Sequence, residues 1–129
     1  MSILGKRKGR PLSRIQLEQI LKRFQVFLKR ELQLNYDIPV VLIDDADFAK
    51  QISAFGMITK DNAIHLSIIN RHPVDIMRTL AYYFAFMKER GNSINSTKSR
   101  ELKSNMLSFN IMQKYQKIHP ELFDLISVK

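Results

Sequence analysis

Residues 73–91 read PVDIMRTLAYYFAFMKERG, and this stretch decides the fold. Pro73 suits the first turn of a helix and Gly91 suits the residue that follows its end, so the stretch predicts one long helix. No residue from Leu80 to Met87 carries a charge, which predicts that neighbouring elements cover the helix on two faces. The apolar residues expected to share one face are Ile76, Met77, Leu80, Tyr83, Phe84 and Met87.

Three short strands are predicted upstream of this helix. Residues 39–43 form a short run rich in β-branched side chains. Residues 54–59 and 63–69 flank the turn-forming triplet Lys60-Asp61-Asn62, so we expect these two strands to pair as a hairpin. Apolar and polar residues alternate from 64 to 68, which predicts one buried and one wetter face.

Two further helices complete the predicted order of elements. The first covers residues 13–34 with Ser13 as its N-cap, and its apolar residues are Leu17, Ile20, Leu21, Phe24, Phe27 and Leu28. The last covers residues 99–118 and ends near Pro120. Its expected inner residues are Leu102, Met106, Phe109, Ile111 and Met112. The sequence therefore predicts an α+β domain with an N-terminal helix, a three-stranded sheet with a hairpin, and then two helices.

Length and composition favour a single folded, soluble domain. The chain has 129 residues, of which 45% are hydrophobic and 26% charged. It contains no cysteine, which excludes disulfides, thiolate metal sites and cysteine nucleophiles. The longest apolar run has eight residues, far fewer than the roughly 20 of a membrane helix. No apolar signal core follows the basic N-terminus, so we expect a protein that is not secreted and not membrane-bound.

The positive charge is concentrated near the N-terminus. The formal net charge is +9, and residues 1–30 hold nine bases and one acid, which is +8 of that total. We interpret residues 1–12 as a flexible basic arm and residues 13–129 as the domain. The predicted nucleic-acid-binding residues are Lys6, Arg7, Lys8, Arg10, Arg14, Lys22, Arg23, Lys29 and Arg30.

The segment KRKGRP (6–11) resembles the minor-groove hook, a DNA-binding motif whose core is Arg-Gly-Arg-Pro with basic flanks. Lys8 stands at the position of its first arginine. An extended, glycine-containing core fits a narrow A·T minor groove, whose negative potential attracts arginine.

The domain itself resembles a family of small zincin-type metallopeptidases best known from tailed bacteriophages. The residues that carry the likeness are FGM (55–57), IHLSI (64–68), NRHPVDIMRTLA (70–81) and HPELF (119–123). In that family, a hairpin leads into a helix that continues with His-Glu-x-x-His, and the next helix supplies an acidic ligand. The resemblance covers roughly residues 38–124 and implies a zincin-like fold.

The residues that would perform zinc chemistry are replaced in this chain. Two histidines at i and i+4 bind zinc in this motif, and the glutamate between them is the general base. Tyr82, Tyr83 and Phe86 stand at those three positions, and Lys103 stands at the third-ligand position. The resemblance therefore implies a degenerate site with no catalytic residue, no metal and no cofactor. We interpret the aromatic residues as filling the former cleft. The alternative is an open aromatic groove that captures a peptide or a base.

Three histidines remain, and none forms a chelating i, i+4 pair. They are His65, His72 and His119, and we interpret them as unrelated surface or loop residues.

The sequence favours a non-catalytic, phage-type pseudoenzyme that acts as a binding or structural module. Its expected partners are nucleic acid or another polyanion, together with a virion or host protein, and its expected location is the host cytoplasm or the virion. One alternative is an active zinc metallopeptidase with an unrecognised ligand set such as Glu101, His65 and His72. Another is a virion or assembly protein whose basic segment lies against packaged genome.

Overall fold

The computed structural model describes residues 12–47, 50, 55–90 and 97–127. These residues form helix α1 (Arg14–Glu31), strands β1 (Val40–Ile43), β2 (Gly56–Ile58) and β3 (Ile64–Ser67), and then helices α2 (Pro73–Glu89), α3 (Thr97–Ile118) and α4 (Pro120–Ser127). The α+β class is confirmed. The predicted arm, with Lys6, Arg7, Lys8 and Arg10, lies outside the described residues, as does Gly91.

Helix α1 begins with a reciprocal cap. The Ser13 hydroxyl accepts a hydrogen bond from the Gln16 backbone N–H, and the Gln16 side chain accepts one from the Ser13 N–H. Two backbone donors at the helix start are thereby satisfied, which fixes where α1 begins. The predicted N-cap is confirmed.

The three strands form one small mixed sheet in the order β1-β3-β2. β3 pairs in parallel with β1 and antiparallel with β2. The hairpin turn is closed by the Thr59 N–H donating to the Ala63 carbonyl, and Asn62 adopts the positive φ of 63° that this turn needs. The predicted hairpin is confirmed.

Helix α2 lies at the centre of the molecule. It packs against β3 and β2 of the sheet and against all three other helices. Its fully buried residues include Met77, Leu80 and Ala81. The predicted coverage of the uncharged stretch 80–87 on two faces is confirmed.

Helix α4 is an additional element, so the prediction of only two helices after the sheet was wrong. Pro120 ends α3, as expected, but it also occupies the first position of α4. A proline is well tolerated there because the first N–H of a helix has no partner within the helix. α4 buries Phe123 and Ile126 against the core.

The inner face of α3 was only partly predicted. Ile111 and Met112 are buried as expected, whereas Leu102, Met106 and Phe109 are exposed. The other buried α3 positions are Ser104, Ser108 and Tyr115. The two serines are small enough to let α3 pack closely against the core. Each hydroxyl donates a hydrogen bond to a backbone carbonyl of its own helix. The larger apolar side chains therefore point outwards.

No helix within the described ranges is both long and apolar enough to cross a bilayer.

Phe24 joins α1 to α3 in the core. Its ring lies 4.8 Å from the ring of Tyr115, centroid to centroid, and it is fully buried. Phe24→Ala should lower the free energy of unfolding by about 3–5 kcal/mol, the usual cost of removing a buried aromatic ring. Val26→Ala, on the exposed face of the same helix, should change it by less than about 0.5 kcal/mol. Urea denaturation followed by circular dichroism measures both values, and equal effects would contradict this packing.

Candidate functional site

Tyr82 and Phe86 lie side by side on α2. The rings of Tyr82 and Phe86 are stacked, with centroids 6.1 Å apart, and both side chains are half-buried. Tyr82 also contacts Tyr83 edge-on at 5.5 Å. Tyr82 and Phe86, one helical turn apart, therefore share one face of α2. Their contacts with each other are ring contacts, which contribute packing rather than metal coordination.

Tyr83 joins α2 to the edge of the sheet. Its hydroxyl donates a hydrogen bond of 2.7 Å to the carbonyl oxygen of Gly56 in β2. Burial raises the pKa of Tyr83, and the nearby Arg71 charge partly opposes this rise. A neutral phenol held as a donor to a backbone carbonyl cannot also serve as a general base at neutral pH.

Gly56 is required at this junction. A Cβ atom on Gly56 would lie 2.7 Å from the carbonyl oxygen of His65 and 2.9 Å from the ring of Tyr83. Both distances are shorter than van der Waals contact, so a side chain there would separate β2 from β3 or from α2.

Arg71, for which the sequence predicted no role, holds together the segment between the sheet and α2. Its guanidinium donates to the carbonyl oxygens of Ser67 and Asp75 at 3.0 and 3.1 Å, and to the Thr79 hydroxyl at 2.7 Å. It also lies over the Phe55 ring, 4.3 Å from the centroid. Burial lowers the pKa of Arg71 from its ordinary value. No local sequence signal indicates this role, because a helix start presents unpaired N–H groups rather than carbonyls, and its dipole does not favour a cation.

An open groove of about 690 Å³ lies beside these residues. Its lining residues are Phe55, Arg78, Thr79, Tyr82, Tyr83, Asn105, Ser108 and Phe109. The prediction that aromatic side chains fill the cleft was therefore wrong. Tyr82 and Tyr83 line the groove, the Phe86 ring stacks on Tyr82 and lies 5.9 Å from the Arg100 guanidinium of α3, and the exposed Phe109 forms part of the wall.

The remaining candidate ligands are dispersed. His72 caps α2, with its Nδ1 accepting from the Val74 N–H at 3.1 Å. The exposed His119 ring lies against Tyr115 at 4.6 Å, and His65 is half-buried in β3. Lys103 Nζ lies 3.9 Å from a carboxylate oxygen of the buried Glu89.

No three histidine or carboxylate side chains converge to hold a metal ion in the part of the chain that the structure describes. The alternative set of Glu101, His65 and His72 is therefore not brought together.

The predicted basic residues of α1 fall into two groups. Arg14 pairs with Glu18 at 2.9 Å and with Asp44, and Lys29 pairs with Asp37. Lys22, Arg23 and Arg30 are exposed and form no ion pair within the described residues. Arg30 lies over the Phe27 ring at 6.0 Å from its centroid. We call Lys22, Arg23 and Arg30 the unpaired cations of α1.

Comparison with protein-family models, with curated proteins and with solved structures gives no match to this chain.

The bond between Tyr83 and Gly56 predicts a change in stability. Tyr83→Phe removes one partly buried hydrogen bond and should lower the free energy of unfolding at neutral pH by about 1 kcal/mol. Tyr36→Phe is the matched control, because Tyr36 is exposed and its hydroxyl has no hydrogen bond to another described residue. The two variants should differ clearly in urea denaturation, and equal stabilities would contradict the role of this bond.

Tyrosine ionisation predicts how stability depends on pH. Burial is the largest cause that raises the pKa of Tyr82 and of Tyr83 above the ordinary 10.0, and for Tyr82 the Glu101 charge adds to it. As pH rises past that value, the unfolded chain releases these protons before the folded chain does, so stability should fall. Urea denaturation across this range should show the loss, and Tyr83→Phe should show a smaller one. An unchanged stability at alkaline pH would contradict the burial of these phenols.

Proposed function

We propose that this protein is a non-catalytic, zincin-like binding module of the phage type that contacts nucleic acid through its basic N-terminal segment and α1. The observation that carries the proposal is the set of unpaired cations on the solvent face of α1. Lys22, Arg23 and Arg30 are held on a rigid helix and are not neutralised by a described carboxylate. Exposed cations that no carboxylate of the described residues pairs with can bind phosphates without breaking an ion pair.

The geometry of α1 suits a phosphate backbone. Its 18 residues extend over about 27 Å at 1.5 Å per residue. Its apolar residues Leu21, Phe24 and Leu28 face the core, so the charged face remains outside. The basic segment 6–10 precedes this helix in the chain, and the two together would offer about seven cations to one polyanion.

The ion pairs of Arg14 and Lys29 limit the size of the proposed contact. Each of these cations already has an intramolecular carboxylate partner, Glu18 and Asp44 for Arg14 and Asp37 for Lys29. If Arg14 or Lys29 bound a phosphate, its intramolecular ion pairs would have to break. The binding surface is therefore centred on Lys22, Arg23 and Arg30 rather than on all five helix cations.

The non-catalytic part of the proposal is supported by the residues at positions 82, 83 and 86. Phe86 has no atom that can coordinate a metal, and the Tyr83 hydroxyl is engaged with Gly56. No described set of carboxylates and histidines replaces the missing ligands. A virion or assembly role remains compatible with the same surface, because packaged genome is also a polyanion.

Nucleic-acid binding should depend strongly on salt. With about seven cations engaged, the logarithm of the association constant for duplex DNA should fall against the logarithm of salt concentration with a slope of up to about −6. Lys22→Glu should weaken binding to all sequences and reduce the slope by about 1. Fluorescence anisotropy with labelled duplexes at several salt concentrations measures both effects.

Lys60→Glu is the matched control for this experiment. It makes the same change in net charge, but at an exposed hairpin turn rather than on α1. If both variants weaken binding equally, the effect comes from net charge alone and α1 is not the contact surface. Replacement of Lys6, Arg7, Lys8 and Arg10 by alanine separates the contribution of the N-terminal segment from that of the helix.

Zinc binding tests the non-catalytic part. After incubation with zinc and gel filtration, the natural chain should retain substoichiometric metal. The variant carrying both Tyr82→His and Phe86→His introduces two ligands at i, i+4 and should retain more zinc than the natural chain. One tightly retained zinc ion per natural chain would contradict the proposal.

A further inference from the structure

We propose that a second copy of this chain docks on the outer face of α3 and the adjoining groove, forming a two-fold symmetric dimer. We call this surface the α3 face, and it consists of Leu102, Met106 and Phe109 together with the residues that line the groove. The proposal does not depend on nucleic-acid binding.

The α3 face exposes an unusual amount of apolar surface. Leu102, Met106 and Phe109 are 60%, 68% and 61% exposed, and Phe55 is 66% exposed at the groove. Single exposed apolar residues are common and need no explanation. Three at i, i+4 and i+7 form a continuous stripe, which is the pattern of a helix that packs against another helix.

The spacing of the stripe fits a copy of itself. Leu102 lies about 6 Å before Met106 along the helix axis, and Phe109 lies about 4.5 Å after it, at 1.5 Å per residue. When two such helices lie antiparallel with the two-fold axis near Met106, Leu102 of each copy faces Phe109 of the other. Reciprocal contacts of this kind define an isologous interface.

The groove adds a recess to the same face. Phe109 belongs both to the stripe and to the groove wall, so protruding side chains and the recess are continuous. A surface that carries both can place the side chains of one copy into the recess of the other, in both directions at once.

The chemistry of the α3 face favours a protein partner over a polyanion. Among the described residues that line the groove, Arg78 is the one charged side chain, and it is paired with Asp75 at 2.9 Å. The remaining lining is aromatic, hydroxyl or amide. Depletion of charge with enrichment in aromatic residues, methionine and arginine is typical of protein interfaces. The unpaired cations lie on α1 instead.

The exposed area approaches what a dimer needs. A large side chain offers about 150–250 Å² when fully exposed, so four that are about two-thirds exposed present roughly 500 Å². The groove walls and flanking polar residues such as Gln113 and Asn110 add to this area. A standard interface buries roughly 800 Å² on each partner, and the α3 face is of that order.

Sedimentation equilibrium of the full chain, from low to several hundred micromolar, tests the proposal. We expect a reversible dimer that salt does not weaken, because apolar burial drives it and salt screens the repulsion between two cationic copies. Phe109→Glu should raise the dimer dissociation constant by at least about thirtyfold, as expected for loss of a central anchor. Ile15→Glu is the matched control, since Ile15 is 67% exposed on α1. Circular dichroism melting confirms that both variants fold.

Cross-linking places the two-fold axis independently. Because the chain has no cysteine, Met106→Cys carries the sole thiol and should form a disulfide with its own copy under mild oxidation. Ile15→Cys should not form such a disulfide.

A monomer at every concentration would overturn the proposal, as would equal loss of the dimer in both glutamate variants. The proposal is also wrong if Phe109→Glu leaves the apparent molecular mass in sedimentation equilibrium unchanged and instead abolishes binding of single-stranded DNA. In that case the groove binds nucleic acid.

Discussion

Helix α2 carries no charge from Leu80 to Met87, and its burial is the constraint on which the other elements depend. A helix segment that is apolar around its circumference must be covered, because exposing apolar side chains to water costs free energy. The sheet covers one side, and helices α1, α3 and α4 cover others. The hydrogen bond from the Tyr83 hydroxyl to the Gly56 carbonyl holds α2 against β2. Gly56 allows this close approach because it has no side chain.

Much of the fold followed from local patterns in the sequence. The apolar spacing of α1, the Ser13 cap and the turn before Ala63 all depend on residues close in the chain, so their prediction needed no tertiary information. The orientation of α3 did not follow, because this helix has two apolar faces and periodicity does not say which one is buried. Close packing at Ser104 and Ser108 decided it. Likewise, Pro120 was recognised as the end of one helix, but the start of the next depended on a core position for Phe123.

The candidate site was predicted in its residues but not in its shape. Tyr82, Tyr83 and Phe86 were singled out by a resemblance to a zinc-binding motif, and they do lie together on α2. Whether aromatic side chains fill or line a cleft depends on the distance to the facing wall, which is set by α3 and cannot be deduced from sequence spacing. The result is two chemically different surfaces. One is an apolar groove with little free charge, and the other is the cationic face of α1, where the proposed function lies.

The most direct test of this division is to follow the backbone amide resonances of the full chain by NMR during titration with a short, A·T-rich duplex at moderate salt. We predict the largest shifts in residues 19–30 of α1 and in the segment that precedes it. The residues around the groove, at 79–83 and 105–109, should remain near their starting positions. Shifts confined to the groove, with α1 unchanged, would contradict the assignment of nucleic-acid binding to the unpaired cations of α1.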